Sequence, residues 1–490
     1  MLDLLNDLLW GKILLVLLVA VGVGFTIASR FVQFRYFGRM FQILGAGQAF
    51  KHDKHGHLSS FQALVLSVAG RVGGGNIAGV AVAITLGGPG AIFWMWMVGL
   101  MGMATSFLEC TLAQTYKQAE GDGTYRGGPA YYIVKGLGRN WGWLAGFYAV
   151  LLLLTFGFAF TALQSYAVAT SLDDAFGVPV LLTGIALAVV VGLIVFGGIK
   201  RIARIAEVVV PVMAVGYLLI ALIVLGMNLG QLPEMVTLIV KSAFGLEPAV
   251  GGGIGAAIMM GLRRGLFSNE AGLGSAPNVA AVAYVPHPAN QGIVQAFSVF
   301  IDTLILCSCT AFLILLSGIY DPSAAGDVGG IALTQAALAD HVGEWGRSFV
   351  SLALLLFAFS TILYNYYLGE NSLNYFSRSN RKLFNAFRVA VVLLVCWGAT
   401  TDLGTIFGFA DVTMGLLAVA NLVALIMLFK PGLRILKDFD DQIRRGVAQP
   451  VFDVRRHPDL DLDPKAWELE PEDLERLPPH PQEVAARAGN

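Results

Sequence analysis

The stretch from Gly251 to Ala283 places Arg263, Arg264, Asn269 and Glu270 inside an otherwise apolar run. Hydrocarbon does not tolerate such side chains on an intact helix that faces lipid. As one unbroken helix the stretch would be about 50 Å long, whereas the hydrocarbon core of a bilayer is about 30 Å thick. The residues therefore predict two half-helices that are joined by an unwound segment within the membrane.

A helix that stops inside the membrane leaves backbone groups without partners, and these groups can bind ions. The free N–H groups at the N-terminus of a half-helix suit an anion such as a carboxylate. The carbonyls freed at the other end suit a small cation. An amino acid and Na⁺ together would satisfy both kinds of group.

The charged side chains of this stretch have two interpretations. We expect Glu270 to form an internal ion pair with Arg263 or Arg264, which would hold the joint between the half-helices. Alternatively, Glu270 meets the ammonium group of the substrate or carries a proton. All three residues are therefore predicted to act at the joint or as a gate.

A second apolar stretch, from Ala63 to Ile84, is interrupted in the same way. Arg71 and Asn76 stand on either side of the three successive glycines at 73–75. A run of glycines ends a helix locally. Glycines also occur where membrane helices pack closely, which would explain Gly99 but not the buried Arg and Asn side chains.

The composition places the whole chain in a membrane. Of 490 residues, 56% are hydrophobic and 13% are charged, and the charged share is about half that of a soluble protein. The formal net charge of −1 and the scattered Lys and Arg residues argue against a nucleic-acid partner. The four cysteines lack metal-ligand spacing, and no catalytic motif lies within the apolar runs, so we do not expect an enzyme.

About eleven apolar segments are long enough to span a bilayer. The two interrupted segments stand five spans apart, so each begins a unit of five helices. Because five is odd, the two units lie upside down relative to each other, and interrupted helices at corresponding positions mark the central site of a transporter. We therefore predict an all-α integral membrane protein in which one N-terminal helix precedes a 5+5 inverted repeat, with a discontinuous first helix in each repeat.

Positive charges in the loops predict the orientation of the chain. The loops at 117–141, 198–204 and 376–388 are basic, whereas those at 172–177 and 228–247 are acidic or nearly uncharged. By the positive-inside rule, the N-terminus lies outside and the C-terminus lies in the cytoplasm.

This topology predicts that the chain is divided into four parts. They are an N-terminal helix with a basic cytoplasmic loop (1–59), the first repeat (60–229), the second repeat (245–430) and an acidic, proline-rich cytoplasmic tail (431–490). We expect the tail to be disordered because it is too polar to pack a core. In the outside loop 320–345, the helical spacing of IALTQAALADHVG predicts a short lid helix over an external vestibule, with a solvated loop as the alternative.

Three motifs carry a resemblance to a known family. They are the run from Asn76 to Thr105, the GGPAYYI sequence at Gly127 to Ile133, and RRGLFSNEAGLGSAPN at Arg263 to Asn278. Together they resemble the alanine or glycine:cation symporter family over nearly all of residues 10–430. The resemblance implies a leucine-transporter-type fold and cation-driven uptake of small neutral amino acids into a bacterial or archaeal cell.

The resemblance also implies a set of site residues. The backbone amides of Gly73, Gly74, Gly75 and Asn76 would hold the substrate carboxylate, and the rest of the pocket would be lined by Gln164, Phe267, Ser268 and Asn269. The cation site typical of this fold would use the carbonyls of Ala69 and Val72 with the hydroxyls of Ser360 and Thr361.

The sequence departs from the family pattern at two positions. Gly74 stands where members carry a hydroxyl, and Asn365 stands where they carry an indole. Both changes remove bulk and Asn365 adds a hydrogen-bonding group, so the substrate is expected to be larger or more polar than alanine, with glutamine, serine or asparagine as candidates. Alternatively, Tyr364 refills the space.

The expected activity is symport of a small neutral amino acid with Na⁺ by alternating access. H⁺ coupling through Glu270 is the alternative, and a passive channel is a rival class because broken helices also line pores. We expect a monomer in the bacterial inner membrane, with the lipid bilayer as partner and no organic cofactor.

Overall fold

In a computed structural model, the chain is almost entirely helical, with 82% of residues in helices. The structure describes seven parts of the chain, namely residues 2–49, 58–120, 123–246, 253–320, 330–378, 380–401 and 403–468. Residues 251–252, which begin the Gly251–Ala283 stretch, and residues 469–490, which end the tail, lie outside these parts.

Twelve α-helices occupy the described residues of the first half. They are α1 (Leu2–Leu8), α2 (Leu15–Ala28), α3 (Val32–Arg35), α4 (Phe37–Ala49), α5 (Ser60–Arg71), α6 (Val80–Gly87), α7 (Gly90–Thr115), α8 (Pro129–Leu137), α9 (Gly142–Leu152), α10 (Thr161–Phe176), α11 (Val180–Val195) and α12 (Gly198–Met227). A two-stranded antiparallel hairpin, β1 (Gln118–Ala119) and β2 (Tyr125–Arg126), follows α7.

Ten more α-helices complete the described part of the chain. They are α13 (Leu232–Ala243), α14 (Gly253–Asn269), α15 (Ser275–Ala280), α16 (Pro288–Val299), α17 (Ser308–Leu315), α18 (Ile331–Val342), α19 (Trp345–Phe376), α20 (Arg381–Gly398), α21 (Leu403–Met427) and α22 (Phe429–Arg444). Wider π-helical turns join several of these into longer rods, at Leu9–Leu14, Leu153–Phe160 and Phe300–Cys307, and precede α6 at Gly75–Gly79.

The predicted spans all coincide with helices. Seven helices in the described residues are long and apolar enough to cross a membrane. An eighth span is the pair Ser60–Arg71 and Gly75–Gly87, which bends by 50° at the first predicted break. The second predicted break separates α14 from α15. The predicted all-α membrane fold with two discontinuous helices is confirmed.

Helix α7 lies at the centre of the packing because it contacts both α14 and α16. Small residues allow the close approach. A Cβ atom added to Gly261 of α14 would lie 2.5 Å from the carbonyl oxygen of Ala91, and one added to Gly99 of α7 would lie 2.7 Å from a methyl carbon of Leu304. Glycines therefore have two roles in this fold: some interrupt the two broken helices, and others allow helices to pack closely.

The prediction of a disordered tail is wrong for its described part. Residues 429–468, which we call the strap, form α22 and an ordered segment that lies across the predicted cytoplasmic end. Asp440 accepts hydrogen bonds from Tyr36 and from Arg35, the latter at 2.6 Å, and Asp438 lies 3.1 Å from Nε2 of His287. The strap is thereby joined to the segment after α2 and to the start of α16.

Two aromatic residues of the strap, whose ring centres lie 4.8 Å apart, help to explain why so polar a segment is ordered. Phe452 and Trp467 are buried, and the backbone N–H of Phe452 donates to the carbonyl of Pro286 at 2.8 Å. The indole N–H of Trp467 donates to the carbonyl of Thr115 at 3.2 Å. The strap therefore packs on the membrane helices through a small apolar cluster, in which Ile435, Phe452, Ala466 and Trp467 lie together with Tyr125.

Lys117 is buried beneath the strap. Its Nζ lies 4.1 Å from the ring centre of Tyr125 and 4.6 Å from that of Trp467, and it donates to the carbonyl of Ala283 at 3.2 Å. Burial lowers the pKa of Lys117 to about 7. The strap thus covers the predicted cytoplasmic end of the second broken helix.

Replacing Trp467 by Ala should release the strap and leave the membrane helices folded. Removing a buried tryptophan side chain costs about 3–5 kcal/mol, and this side chain anchors the strap without supporting any membrane span. We expect amide hydrogens of residues 447–468 to exchange at least about tenfold faster, measured by mass spectrometry. The control, Trp345→Ala, removes an exposed tryptophan and should change nothing in the strap. Unchanged exchange in Trp467→Ala would contradict this assignment.

Candidate functional site

The two helix breaks are built by different means. At the first break, Asn76 accepts a hydrogen bond from the N–H of Gly73 at 2.9 Å through its side-chain oxygen. At the second break, the backbone turns through left-handed conformations at Glu270 (φ 54°), Gly272 (φ 90°) and Gly274 (φ 78°). Glycine adopts these angles without strain, whereas Glu270 is an unusual residue there.

A cavity of about 580 Å³ ends at the first break. Its walls combine predicted substrate-binding residues, the predicted lid helix and a ring of apolar side chains: Gly74, Ala78, Gly79, Val82, Leu163, Gln164, Tyr166, Ala167, Thr170, Ser171, Asp174, Arg264, Phe267, Gly330, Ile331, Ala332, Gln335 and Phe407. The cavity lies on the side of Asp174 and Gly330, which are in loops predicted to be outside.

The lid helix predicted in the loop 320–345 is present as α18, Ile331–Val342. Ile331, Ala332 and Gln335 line the cavity from this helix. Gln335 donates to the hydroxyl of Ser351 on α19 at 2.8 Å and to that of Ser171 on α10 at 3.2 Å. The helix, and not the alternative of a plain solvated loop, forms one wall of the cavity.

Three of the predicted substrate-binding residues line this cavity: Gly74, Gln164 and Phe267. The N–H of Gly74 donates to the side-chain oxygen of Gln164 at 3.0 Å. The ring of Phe267 packs on that of Phe160, with the centroids 5.0 Å apart. An amide hydrogen, a carboxamide and an aromatic wall thus meet at the inner end of the cavity.

The other predicted pocket residues lie behind this wall. Ser268 and Asn269 are fully buried and do not line the cavity. The Oγ of Ser268 donates to the carboxylate of Asp302 at 2.9 Å, and the side-chain oxygen of Asn269 accepts from the N–H of Ala271 at 3.0 Å. In this conformation they position the second break, as Asn76 positions the first.

The predicted cation residues come together in part. The hydroxyl of Thr361 lies 2.8 Å from the carbonyl oxygen of Ala69 and 3.3 Å from that of Val72. Ser360 is also buried, but its hydroxyl donates to the carbonyl of Phe357 at 2.8 Å. Two freed carbonyls and one hydroxyl therefore face each other between α5 and α19.

The predicted ion pair between Glu270 and Arg263 or Arg264 is wrong. Arg263 instead pairs with Asp411 of α21, and Arg264 lies 4.0 Å from the same carboxylate. Glu270 accepts hydrogen bonds from Ser275 at 2.6 Å and from Tyr364 at 3.1 Å. The left-handed backbone at Glu270 ends the helix, so its side chain does not share a face with the arginines that precede it.

The two positions that depart from the family pattern have different surroundings. Gly74 lines the cavity, whereas Asn365 is fully buried away from it, and neither atom of its amide has a hydrogen-bond partner among the described residues. The ring of Tyr364 lies so close to Gly70 that a Cβ atom there would overlap it. Tyr364 itself does not line the cavity, and the alternative that it refills the space stays a prediction.

A polar network closes the predicted cytoplasmic end. Glu370 of α19 lies 3.1 Å from Arg126 in the hairpin and 3.5 Å from Arg388 of α20. Asn371 donates to Asn278 at 2.6 Å and to the carbonyl of Gly127 at 2.9 Å. The GGPAYYI motif therefore takes part in sealing this end, a role that its sequence did not indicate.

Sequence reasoning also missed three carboxylates, Glu109, Asp302 and Asp411. Each is buried within a long apolar helix or rod and belongs to no motif. Glu109 accepts from the N–H of Gly272 at 3.3 Å and from Asn421 at 3.1 Å. Their common signal is an acidic residue inside a predicted span, which by itself suggests a buried partner but does not identify it.

Comparisons with known proteins agree with this architecture. A family model described as the sodium:alanine symporter family matches residues 1–454. The probable sodium/glutamine symporter GlnT of Bacillus subtilis is 46% identical over 447 residues, which cover 91% of this chain and 91% of that protein. The sodium/alanine symporter AgcS of Methanococcus maripaludis is 37% identical over 452 residues, which cover 91% of this chain and 97% of that protein.

Among solved structures, a manganese transporter of Eremococcus coleocola superposes with a TM-score of 0.51. The match covers 76% of this chain and 78% of that chain at 16% sequence identity. At this identity the likeness shows a shared fold alone.

Replacing Asp411 by Asn should destabilise the protein because it removes the buried carboxylate that pairs with Arg263 and lies 4.0 Å from the buried Arg264. Breaking one side of a buried ion pair costs about 3–5 kcal/mol. Thermal unfolding in detergent measures the loss. The matched control is Glu344→Gln, which breaks a surface pair with Arg347 at 3.2 Å and is expected to cost less than about 1 kcal/mol. Equal effects of the two variants would contradict a structural role for Asp411.

Proposed function

The chain belongs to the sodium:alanine symporter family, a family of transporters and not enzymes, and from that premise we propose that it imports a small neutral amino acid together with Na⁺. The observation that carries the proposal is the cavity that ends at the first helix break, beside two freed carbonyls and a threonine hydroxyl. Groups for an anion and groups for a cation lie on opposite sides of one break.

The substrate carboxylate binds the N–H groups of residues 73–76 in this proposal. The N–H of Gly74 is bonded to the carboxamide oxygen of Gln164 and faces the cavity, so a carboxylate can replace that acceptor. The helix that starts at Gly75 adds the partial positive charge of its N-terminus. Phe267 and the backbone at Ser268 and Asn269 complete the pocket once the vestibule closes.

The size of the cavity supports a substrate range that extends beyond alanine. About 580 Å³ is far more than alanine needs, and Gln164 and Gln335 offer amide groups along the walls. The named relatives differ in the same way, since one is called a glutamine symporter and the other an alanine symporter. Alanine, serine, asparagine and glutamine are the proposed substrates, and Gly74 rather than Asn365 sets their size.

Na⁺ is the proposed coupling ion and binds the carbonyls of Ala69 and Val72 with the hydroxyls of Ser360 and Thr361. Oxygen atoms of this kind suit a small hard cation. Because the ligands come from the end of α5 and from α19, the ion joins the first broken helix to a helix of the second repeat. The alternative is H⁺ coupling at Glu270, which is favoured by its complete burial without an ion pair among the described residues.

The proposal places a monomer in the inner membrane with the N-terminus outside and the C-terminus in the cytoplasm. The repeats at 60–229 and 245–430 then alternate access around the two breaks. In the conformation described, the cavity opens at the predicted outer end, while Arg126, Glu370 and Asn371 close the other end. Arg264 at the cavity wall is the proposed outer gate residue.

Uptake of radiolabelled alanine by proteoliposomes tests the substrate range and the driving ion together. We expect saturable accumulation in Na⁺ buffer, little uptake in choline buffer, and competition by glutamine, serine and asparagine as well as alanine. If glycine and alanine compete far better than glutamine, the extended range is wrong. Non-saturating flux without accumulation would indicate the rival channel instead.

Replacing Thr361 by Ala should weaken Na⁺ activation because one oxygen ligand is removed. We expect the Na⁺ concentration for half-maximal uptake to rise at least about tenfold, while the substrate preference stays unchanged. The control is Thr237→Ala, which removes an exposed threonine hydroxyl that bonds within α13. An unchanged Na⁺ requirement in Thr361→Ala would remove this residue from the cation site.

A further inference from the structure

A second cavity, of about 230 Å³, lies at the predicted cytoplasmic end and shares no lining residue with the cavity at the first break. Its wall combines residues of α4, the first residue of α5, the segment 284–286 that follows the second broken helix, helix α16 and the strap at 448–449. The cavity therefore lies where the strap meets the predicted cytoplasmic ends of both broken helices. None of its lining residues takes part in the proposed binding of substrate or Na⁺.

Buried polar side chains line this cavity without a protein partner. Asn290 of α16 is 8% exposed and Ser60 of α5 is 6% exposed, and neither side chain forms a hydrogen bond within the described parts of the chain. The Nε of Arg39 is likewise buried without a partner among these residues. Buried polar groups are costly when their hydrogen bonds are left unmade. These three side chains therefore point to a ligand in the cavity.

The electrostatic surroundings of the cavity favour an anion. Arg39 contributes a positive charge, and no carboxylate of the described residues lines the cavity. Ser60 is the first residue of α5 and Asn290 is the third residue of α16, so the first turns of two twelve-residue helices form part of the wall. The N-terminus of a helix carries a partial positive charge that stabilises an anion. One guanidinium and two helix N-termini thus act on the same space.

The donors around the cavity suit a phosphate group. They come from three directions, because α4, α5 and α16 each contribute one of the three side chains. A tetrahedral phosphate presents oxygen atoms in several directions, and the planar guanidinium of an arginine matches its geometry. The volume of about 230 Å³ also leaves space beside a phosphate for the group to which it is esterified.

The cavity lies at the depth of lipid headgroups. Helix α16 begins the apolar span Pro288–Leu315, and α5 begins the broken span that continues to Gly87. Asn290 and Ser60 stand in the first turns of these spans, where the hydrocarbon core of a bilayer gives way to its headgroup region.

Apolar surface extends from the cavity toward the membrane. Phe297 follows Asn290 by seven residues, which places it about two turns deeper on the same face of α16. The ring of Phe41 of α4 packs on that of Phe297 with the centroids 5.0 Å apart, yet Phe41 is 54% exposed. Hydrocarbon chains that hang from a phosphate in the cavity would cover these rings. A soluble phosphate ester would leave them uncovered.

We propose that this cavity binds a phosphate group through Arg39, Ser60 and Asn290, and that its source is the headgroup of an anionic phospholipid. The exposed Phe41 favours the lipid over a soluble phosphate ester. Anionic lipids give the cytoplasmic leaflet a negative surface potential, so the predicted topology supplies this ligand at the correct side. The bound headgroup ties the strap to the starts of α5 and α16. The site requires neither substrate nor Na⁺.

Thermal unfolding of the full chain in detergent, at fixed ionic strength, tests the site. Phosphatidylglycerol should raise the unfolding temperature of wild type at least about 2 °C more than phosphatidylcholine, whose headgroup carries no net charge. Asn290→Asp keeps the size of the side chain, and a carboxylate in the first turn of a helix is stabilising, but its charge repels a phosphate. We expect this variant to fold and to lose the difference between the two lipids. Asn140→Asp makes the same change at an exposed position and should match wild type.

Lipid titration followed by native mass spectrometry measures the affinity directly. Arg39→Gln should weaken the binding of phosphatidylglycerol at least about tenfold. The matched control is Arg139→Gln, which removes an exposed arginine at the same predicted end and should bind like wild type. Phosphatidylglycerol should also slow the exchange of amide hydrogens at 447–452 in wild type but not in Asn290→Asp.

Inorganic phosphate and glycerol 3-phosphate distinguish the two sources of the phosphate group. If they raise the unfolding temperature as far as phosphatidylglycerol does at equal concentration, the ligand is a soluble ester and the lipid is wrong. Equal shifts with both lipids and none with phosphate would overturn the site itself. So would full phosphatidylglycerol binding by both Asn290→Asp and Arg39→Gln. If Asn290→Asp does not fold, Arg39→Gln decides the same question.

Discussion

A backbone group that loses its helical partner inside a membrane must form a hydrogen bond elsewhere. Buried polar side chains near the two breaks supply these bonds. The side chains of Asn76 and Gln164 accept from the N–H groups of the first break. At the second break, Asn421 donates to the carbonyl of Gly272 at 2.9 Å while Glu109 accepts from its N–H group. Polar atoms in neighbouring helices are therefore a consequence of the breaks, and the site exists because two helices are left incomplete.

The breaks, the spans and the fold class could be predicted because each depends on local composition. Glycine runs beside Arg and Asn interrupt an apolar segment wherever they occur. The partners of the charged residues could not be predicted in the same way. Asp411, which pairs with Arg263, lies 148 residues away in another helix, and nothing near it in sequence indicates that contact. The expected pair with Glu270 assumed that neighbours in sequence stay neighbours across a left-handed turn.

The strap shows a different limit of sequence reasoning. Its composition is that of a disordered segment, and on average it has too few apolar residues to fold alone. It is ordered because a few apolar side chains, Ile435, Phe452, Ala466 and Trp467, cluster with one another and with Tyr125 against the membrane helices. The sequence could indicate which residues lie near the cavity, but not which of them face it. Gly74, Gln164 and Phe267 line the cavity, whereas Ser268 and Asn269 are buried behind its wall.

The enclosure of Lys117 by the strap has a consequence for how the protein is made. Tyr36, Thr115 and Pro286 all bond to residues that leave the ribosome after every membrane span has been synthesised. The predicted cytoplasmic ends of the early helices therefore lack these partners while the spans insert, and Lys117 lacks the ring of Trp467 until the strap has been synthesised. A chain that stops short of Trp467 would therefore leave Lys117 without this ring and the carbonyl of Thr115 without the indole N–H.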